Sequence, residues 1–139
     1  MLYDRVAVPE QQLVKQIQNA INGEYTAIKC YEKLAKMAPT EQERKQIMEI
    51  RGDEIHHFRQ VSNLYSGLTG QDVKPKQVAV CPDTYKKGLD FAFHDEQKTV
   101  DYYHKVADET INPTAKVIFN RAAKDEQNHA VWFLYYLTR

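Results

Sequence analysis

At 139 residues the chain has the length of a single domain and enough material to bury a core. Its 19 basic and 19 acidic residues cancel, leaving no global field to draw it to nucleic acid or to an anionic membrane. No apolar run approaches the roughly 20 residues that a bilayer span requires, and the opening MLYDRVAVPE lacks the charged-then-apolar build of a secretory signal, so the expectation is a soluble, cytoplasmic protein.

Residues 1–9 read as a short lead-in closed by Pro9, a residue tolerated in the first turn of a helix. A first helix is predicted over about 10–38, where Leu13, Ile17, Ala20, Glu24, Ile28, Tyr31, Ala35 and Ala38 recur at helical spacing. The central member of this apolar stripe is a glutamate. Pro39 stops the helix, and Thr40 with Glu43 forms the S/T-x-x-E signature that starts the next.

The second helix, about 41–66, carries Ile47, Ile50, Glu54, His57, Val61 and Leu64 on its stripe, with Leu68 just beyond its end. Between residues 66 and 83 the period is lost, and Gly67, Gly70, Pro75 and Pro82 mark a connection too long for a tight hairpin. A strand-like piece or a short helix around residues 74–79 is compatible with its composition. A third helix, about 84–110 and capped by Asp83 or Thr84, presents Tyr85, Leu89, Ala92, Glu96, Val100, Tyr103 and Ala107. Asn112 and Pro113 break it. The fourth, about 114–137, aligns Phe119, Ala122, Glu126, His129, Phe133 and Tyr136.

The two halves repeat one another. A shift of 72 residues carries Glu24 onto Glu96, Glu54 onto Glu126 and His57 onto His129, and brings Asp53-Glu54-Ile55-His56-His57 onto Asp125-Glu126-Gln127-Asn128-His129. In a helix, a Glu and a His three residues apart project from one face and reach a common point. Two helical hairpins, neither able to cover its own stripes, then pack face to face as an all-α four-helix bundle joined by a crossover, one domain spanning residues 1–139.

Four carboxylates at the centre of an apolar core are costly unless something neutralises them. Two divalent cations would balance Glu24, Glu54, Glu96 and Glu126, with His57 and His129 neutral as ligands must be. Mixed oxygen and imidazole ligation suits iron or manganese, with zinc and cobalt not separated by spacing alone. His56, His94 and His104 lie off the stripes and are expected in solvent. Trp132 and the Tyr135-Tyr136 pair read as core or interface aromatics, and Arg51 as a possible cap on the carboxylate network. Cys30 and Cys81 stand far apart with no C-x-x-C, which argues against a zinc ribbon, a rubredoxin-type iron site or a thioredoxin-like pair. A reducing compartment argues against a disulfide between them.

With its Gly23-Glu24-Tyr25-Thr26-Ala27-Ile28-Lys29-Cys30-Tyr31 segment and its two D-E-x-x-H turns, the sequence resembles the ferritin-like di-iron carboxylate superfamily, and within it rubrerythrins and bacterioferritins, over roughly residues 10–137. The resemblance implies that Glu54 and Glu126 bridge two irons, with Glu24 and His57 completing one coordination sphere and Glu96 and His129 the other. It also implies that Asp53 holds His129 and Asp125 holds His57. Tyr31 and Tyr103, seven residues beyond Glu24 and Glu96, either hydrogen-bond to ligand carboxylates or fill the core.

The expected function is that of a non-haem, rubrerythrin-like oxidoreductase that reacts with hydrogen peroxide or dioxygen in oxidative-stress defence, with no catalytic residues beyond the metal ligands. The alternatives are a ferroxidase in iron homeostasis, an oxygenase served by an apolar cavity beside Glu24 and Glu96, and a non-redox metal-binding interaction protein. Departures from the resembled pattern are informative. Thr99 stands where rubrerythrins carry a further glutamate, and no cysteine-paired rubredoxin module is present, so electrons must come from an external donor. Ile55 replaces the haem-ligating methionine of bacterioferritin, so no haem is expected. Only ten residues follow His129, which favours a homodimer or other small oligomer over a shell.

Overall fold

The computed structural model describes the backbone of residues 2–139 and the side chains of residues 10–139. Four helices follow one another: α1 (Leu2–Met37), α2 (Glu41–Thr69), α3 (Tyr85–Glu109) and α4 (Pro113–Leu137). No strand occurs among the described residues. Each start is fixed by the cap its sequence supplies. Thr40 accepts the Glu43 amide at 3.1 Å, Thr84 the Lys87 amide at 3.3 Å, and Asn112 the Ala115 amide at 2.9 Å ahead of Pro113.

Two boundaries differ from the sequence reading, and a third is decided between its two candidates. The expected lead-in belongs to α1, which passes through Pro9 without the hydrogen bond a proline nitrogen is unable to donate. Helix α2 runs on past Gly67 to Thr69 and ends where Gly70 turns to a φ of 71°, its N–H closing on the Ser66 carbonyl at 2.8 Å. Leu68 therefore lies inside the helix and packs on the core. The cap of α3 is Thr84, while Asp83 pairs with Lys33 at 2.5 Å.

Helix α1 packs along α2 and α3 along α4, and the pairs meet through α1 with α3 and α2 with α4. The start of α3 lies against the end of α1, where an added Cβ on Gly88 would come within 2.5 Å of a Leu34 methyl. The end of α3 lies against the start of α1, where Gln16 donates to Glu109 at 3.0 Å. The two helices are thus antiparallel, and the connection over residues 70–84 must travel the length of the bundle. It does so in extended form, with neither helix nor strand. Its Lys76 amide donates to Asn22 Oδ1 and its Val78 amide to Thr26 Oγ1, both at 2.9 Å. Lys33 then donates to the Cys81 carbonyl at 3.3 Å.

Cys81 is disulfide-bonded to Cys30, with their Cα atoms 5.1 Å apart. This corrects the expectation of free thiols. The crossover returns to α1 and brings together two cysteines that are 51 residues apart in sequence.

The apolar interior falls into two clusters. One, at the end where α1 enters the bundle, gathers Ile17, Ile21, Val61, Tyr103 and Phe119; the other, where α1 leaves it, gathers Tyr31, Leu34, Ile47, Ile50 and Phe133. Burial of such side chains contributes about 1.5–3 kcal/mol each before conformational entropy is counted. Between the clusters lies a layer of acid and imidazole.

Candidate metal centre

Each helix gives this layer its central stripe residue, or two of them. Glu24 comes from α1, Glu54 and His57 from α2, Glu96 from α3, and Glu126 and His129 from α4, and none is more than 2% exposed. Their donor atoms form two overlapping groups, Glu24-Glu54-His57-Glu126 and Glu54-Glu96-Glu126-His129, with the atoms of each group within 4.8 Å of one another. Glu54 and Glu126 belong to both.

The imidazoles are aimed from behind. His57 Nε2 lies 2.8 Å from Asp125 Oδ2, and His129 Nε2 lies 2.8 Å from Asp53 Oδ2. A carboxylate only accepts, so each Nε2 carries the proton and each Nδ1 turns inward. His57 Nδ1 stands 3.4, 3.3 and 3.0 Å from Glu24, Glu54 and Glu126, and His129 Nδ1 stands 3.4, 3.6 and 3.7 Å from Glu54, Glu96 and Glu126. Arg121 completes the support on one side by donating to the other oxygen of Asp125 at 3.0 Å.

Two tyrosines cross between the hairpins. The Tyr31 hydroxyl donates to Glu96 Oε1 and the Tyr103 hydroxyl to Glu24 Oε2, each at 2.5 Å. Of the two roles open to them from sequence, both rings take the hydrogen-bonding one while also packing on Phe133 and Phe119 at centroid distances of 5.1 Å. Burial, reinforced by the neighbouring carboxylates, pushes both phenols well above their ordinary range, so they remain donors.

The electrostatics are those of an acid cluster that needs positive charge. Burial and the Glu54 charge push Glu24 up to about 8, and burial with its three carboxylate neighbours raises Glu126 well above the ordinary range. Glu96 is raised by burial and the Glu54 charge. Burial alone would lower His57, but Glu24 and Glu54 outweigh it and push the imidazole up to about 12; His129 is driven to about 11 against the same burial effect by Glu54 and Glu96. Glu54, although burial opposes it, is held low by both histidines.

The donor set passes a direct test of fit to metal. Every one of the six residues retains a buried atom with no hydrogen-bond partner: Oε1 of Glu24, Glu54 and Glu126, Oε2 of Glu96, and Nδ1 of His57 and His129. Orphaned buried polar atoms are rare. They belong to six residues whose oxygen and nitrogen donors gather in two overlapping groups, the composition of a metal site.

The remaining sequence candidates lie elsewhere. His56, His94 and His104 are exposed. Arg51 does not cap the carboxylates; it donates to the Ile28 carbonyl at 2.9 Å and to Glu32 at 3.1 Å, tying α2 to α1 on the outside. Trp132 meets Tyr135 edge-on and lies tilted against Tyr136, beyond the polar layer. Asp95 is a residue the sequence reading passed over. Burial and its neighbours Glu96 and Glu54 push it up to about 7, and it lines a small cavity of about 50 Å³ against Glu24, Glu54 and Glu126. Its only signal was its place beside Glu96, one turn before Thr99.

Four antiparallel helices, a long crossover and this central layer define a ferritin-like four-helix bundle. The rubrerythrin family model matches residues 15–137, and the chain belongs to that family. It is 58% identical over 125 residues to the uncharacterized protein YhjR of Bacillus subtilis (strain 168), covering 90% of this chain and 86% of that protein. A hypothetical protein from Pyrococcus furiosus superposes with a TM-score of 0.76 at 20% identity, covering 91% of this chain and 88% of that one. A two-domain protein from Anabaena variabilis, with DJ-1/ThiJ/PfpI-like and ferritin-like domains, superposes at 0.73 and 15% identity, covering 93% of this chain and 36% of that one. At such identities the two structures bear on the fold. No helix among the described residues is long and apolar enough to cross a membrane.

Proposed function

We propose that this chain is a non-haem di-iron oxidoreductase whose oxidant is hydrogen peroxide or dioxygen. The observation that carries the reading is that six buried residues, each keeping an unpartnered polar atom, gather in two groups sharing Glu54 and Glu126. By this reading Glu24 and His57 hold one metal, Glu96 and His129 the other, and Glu54 and Glu126 both. Bound there, two ferrous ions would supply a pair of electrons to the oxidant.

The protein's own groups do the rest. Asp125 and Asp53 orient the imidazoles through Nε2, and Tyr31 and Tyr103 position one oxygen each of Glu96 and Glu24. The two apolar clusters keep bulk water from the layer, so the carboxylates interact with bound charge at low dielectric. Peroxide reduction follows H2O2 + 2 e⁻ + 2 H⁺ → 2 H2O, and the electrons are renewed by an external donor. The cavity beside the layer, at about 50 Å³, falls far below the roughly 300 Å³ or more of an organic-substrate pocket, which weighs against an oxygenase.

The test is anaerobic Fe(II) loading followed by separate additions of peroxide and of dioxygen. Two irons per chain, oxidised rapidly by peroxide and retained over repeated cycles of reduction, support the proposal. Oxidation by dioxygen followed by loss of iron would make the chain a ferroxidase. Metal binding without oxidation by either would leave a structural or interaction role.

A further inference from the structure

The cavity beside Glu24 reaches the metal layer from one side. It is lined by the exposed Asn19 and the half-buried Gly23, Asp95 and Thr99, and it descends between α1 and α3 to the buried Glu24, Glu54 and Glu126. Tyr102 flanks it, held by Asn19 at 3.4 Å and by its own donation to the Gln16 carbonyl at 3.1 Å. The Thr99 hydroxyl donates to the Asp95 carbonyl at 2.8 Å, within its own helix.

The repeat breaks at this cavity. The 72-residue shift that superposes the proposed ligands takes Asn19 to Phe91, and its reverse takes Thr99 to Ala27 and Tyr102 to Cys30. Ala27 and Cys30 belong to the apolar cluster where α1 leaves the bundle, Phe91 and Cys81 pack against it, and the Cys30–Cys81 disulfide fastens the crossover there. One half of the α1–α3 groove is therefore stoppered by apolar side chains while its counterpart holds a cavity edged by Asn19, Thr99 and Tyr102. Gly23 is the second irregularity. It sits inside α1, where glycine is unfavourable, and a Cβ there would meet nothing within 4 Å.

Resting on the di-iron reading, we infer that the cavity framed by Asn19, Gly23, Thr99 and Tyr102 is the access portal of the site, and that it restricts entry to small molecules such as hydrogen peroxide, dioxygen and azide. At about 50 Å³ it accommodates roughly one or two molecules the size of water. Hydrogen peroxide and dioxygen pass; an alkyl or aryl hydroperoxide does not. Access is one-sided, reaching the Glu24 half of the layer first.

The experiment uses the full iron-loaded chain, with Gly23→Leu to obstruct the portal and Gly23→Ala as the milder change. Both residues favour helix over glycine, so melting temperatures should hold or rise. Azide binding to the oxidised, loaded protein, followed by its absorption band, reports access without turnover. The expected result is azide association slowed about tenfold or more in Gly23→Leu, with an intermediate effect in Gly23→Ala and iron content unchanged. In the unmodified protein, oxidation by cumene hydroperoxide should lag hydrogen peroxide by about 100-fold. Azide binding Gly23→Leu at the unmodified rate, or cumene hydroperoxide reacting within about threefold of hydrogen peroxide, overturns the portal while leaving the metal site intact. Failure of the unmodified chain to take up two irons would overturn the di-iron reading itself, and the portal with it.

Discussion

The Tyr31 hydroxyl on α1 donates to Glu96 on α3 at 2.5 Å, and Tyr103 on α3 returns the same bond to Glu24 on α1. Each hairpin thus holds down an acid of the other. Replacing either tyrosine by phenylalanine keeps the ring contacts with Phe133 or Phe119 but removes one hydrogen bond to a buried carboxylate. The expected loss is about 1.5–3 kcal/mol for each single variant by urea denaturation, with coupling between the two in the double variant. A change smaller than about 0.5 kcal/mol in both would show that the hydroxyls only fill space.

Asp125→Asn and Asp53→Asn keep the shape of the imidazole support and remove its charge. Each is expected to weaken metal binding by about tenfold or more, read by competition of the apoprotein with a chromophoric chelator for Zn(II) or Mn(II). The Asp125 side chain is 21% exposed and the Asp53 side chain 54%, so the larger loss belongs to Asp125. Equal affinity in both variants and the parent would refute the supporting role.

The metal-free chain should lose stability as pH rises from about 5 to 9. Glu24 has its pKa raised from 4.5 to about 8, so the folded state holds that proton more tightly and forfeits the advantage as pH climbs through this window. His57 and His129, raised from 6.5 to about 12 and about 11, contribute stability that is complete below pH 6.5 and declines above it, in the same direction. Glu54 is lowered, so its contribution disappears only on the acid side of 4.5, outside this range. Thermal melts of chelator-stripped protein across this range test the sign. Adding Zn(II) in weak buffer should also release protons, since the ligands must give them up.

Reducing the Cys30–Cys81 bond, or replacing both residues with serine, releases a crosslink spanning 51 positions. The expected loss is roughly 2–4 kcal/mol in denaturant unfolding with and without reductant. The amides of Lys76 and Val78, held by Asn22 and Thr26, should exchange faster with solvent once the strap is cut. Unchanged unfolding in reductant would mean that the side-chain hydrogen bonds alone hold the crossover.

The bundle and its centre were readable because each stripe places a Glu, or a Glu and a His, where its period calls for an apolar residue, and because Glu24, Glu54 and His57 recur in the second half. The crossover was not. Asn22, Thr26, Cys30 and Lys33 line up at helical spacing on α1, but their partners lie in an extended segment with no periodicity of its own. Cysteine spacing cannot reveal a pairing made by that path. The run of α2 to Thr69 was hidden because Gly67 and Gly70 look alike in sequence, and only Gly70 takes the left-handed turn.

Neither four-residue group is assembled by one hairpin. The first takes Glu24, Glu54 and His57 from the N-terminal pair and Glu126 from the C-terminal pair, and the second mirrors that division. A cation seated in either group would be a rivet through both halves of the chain, so prising the hairpins apart and shedding the ions become a single event.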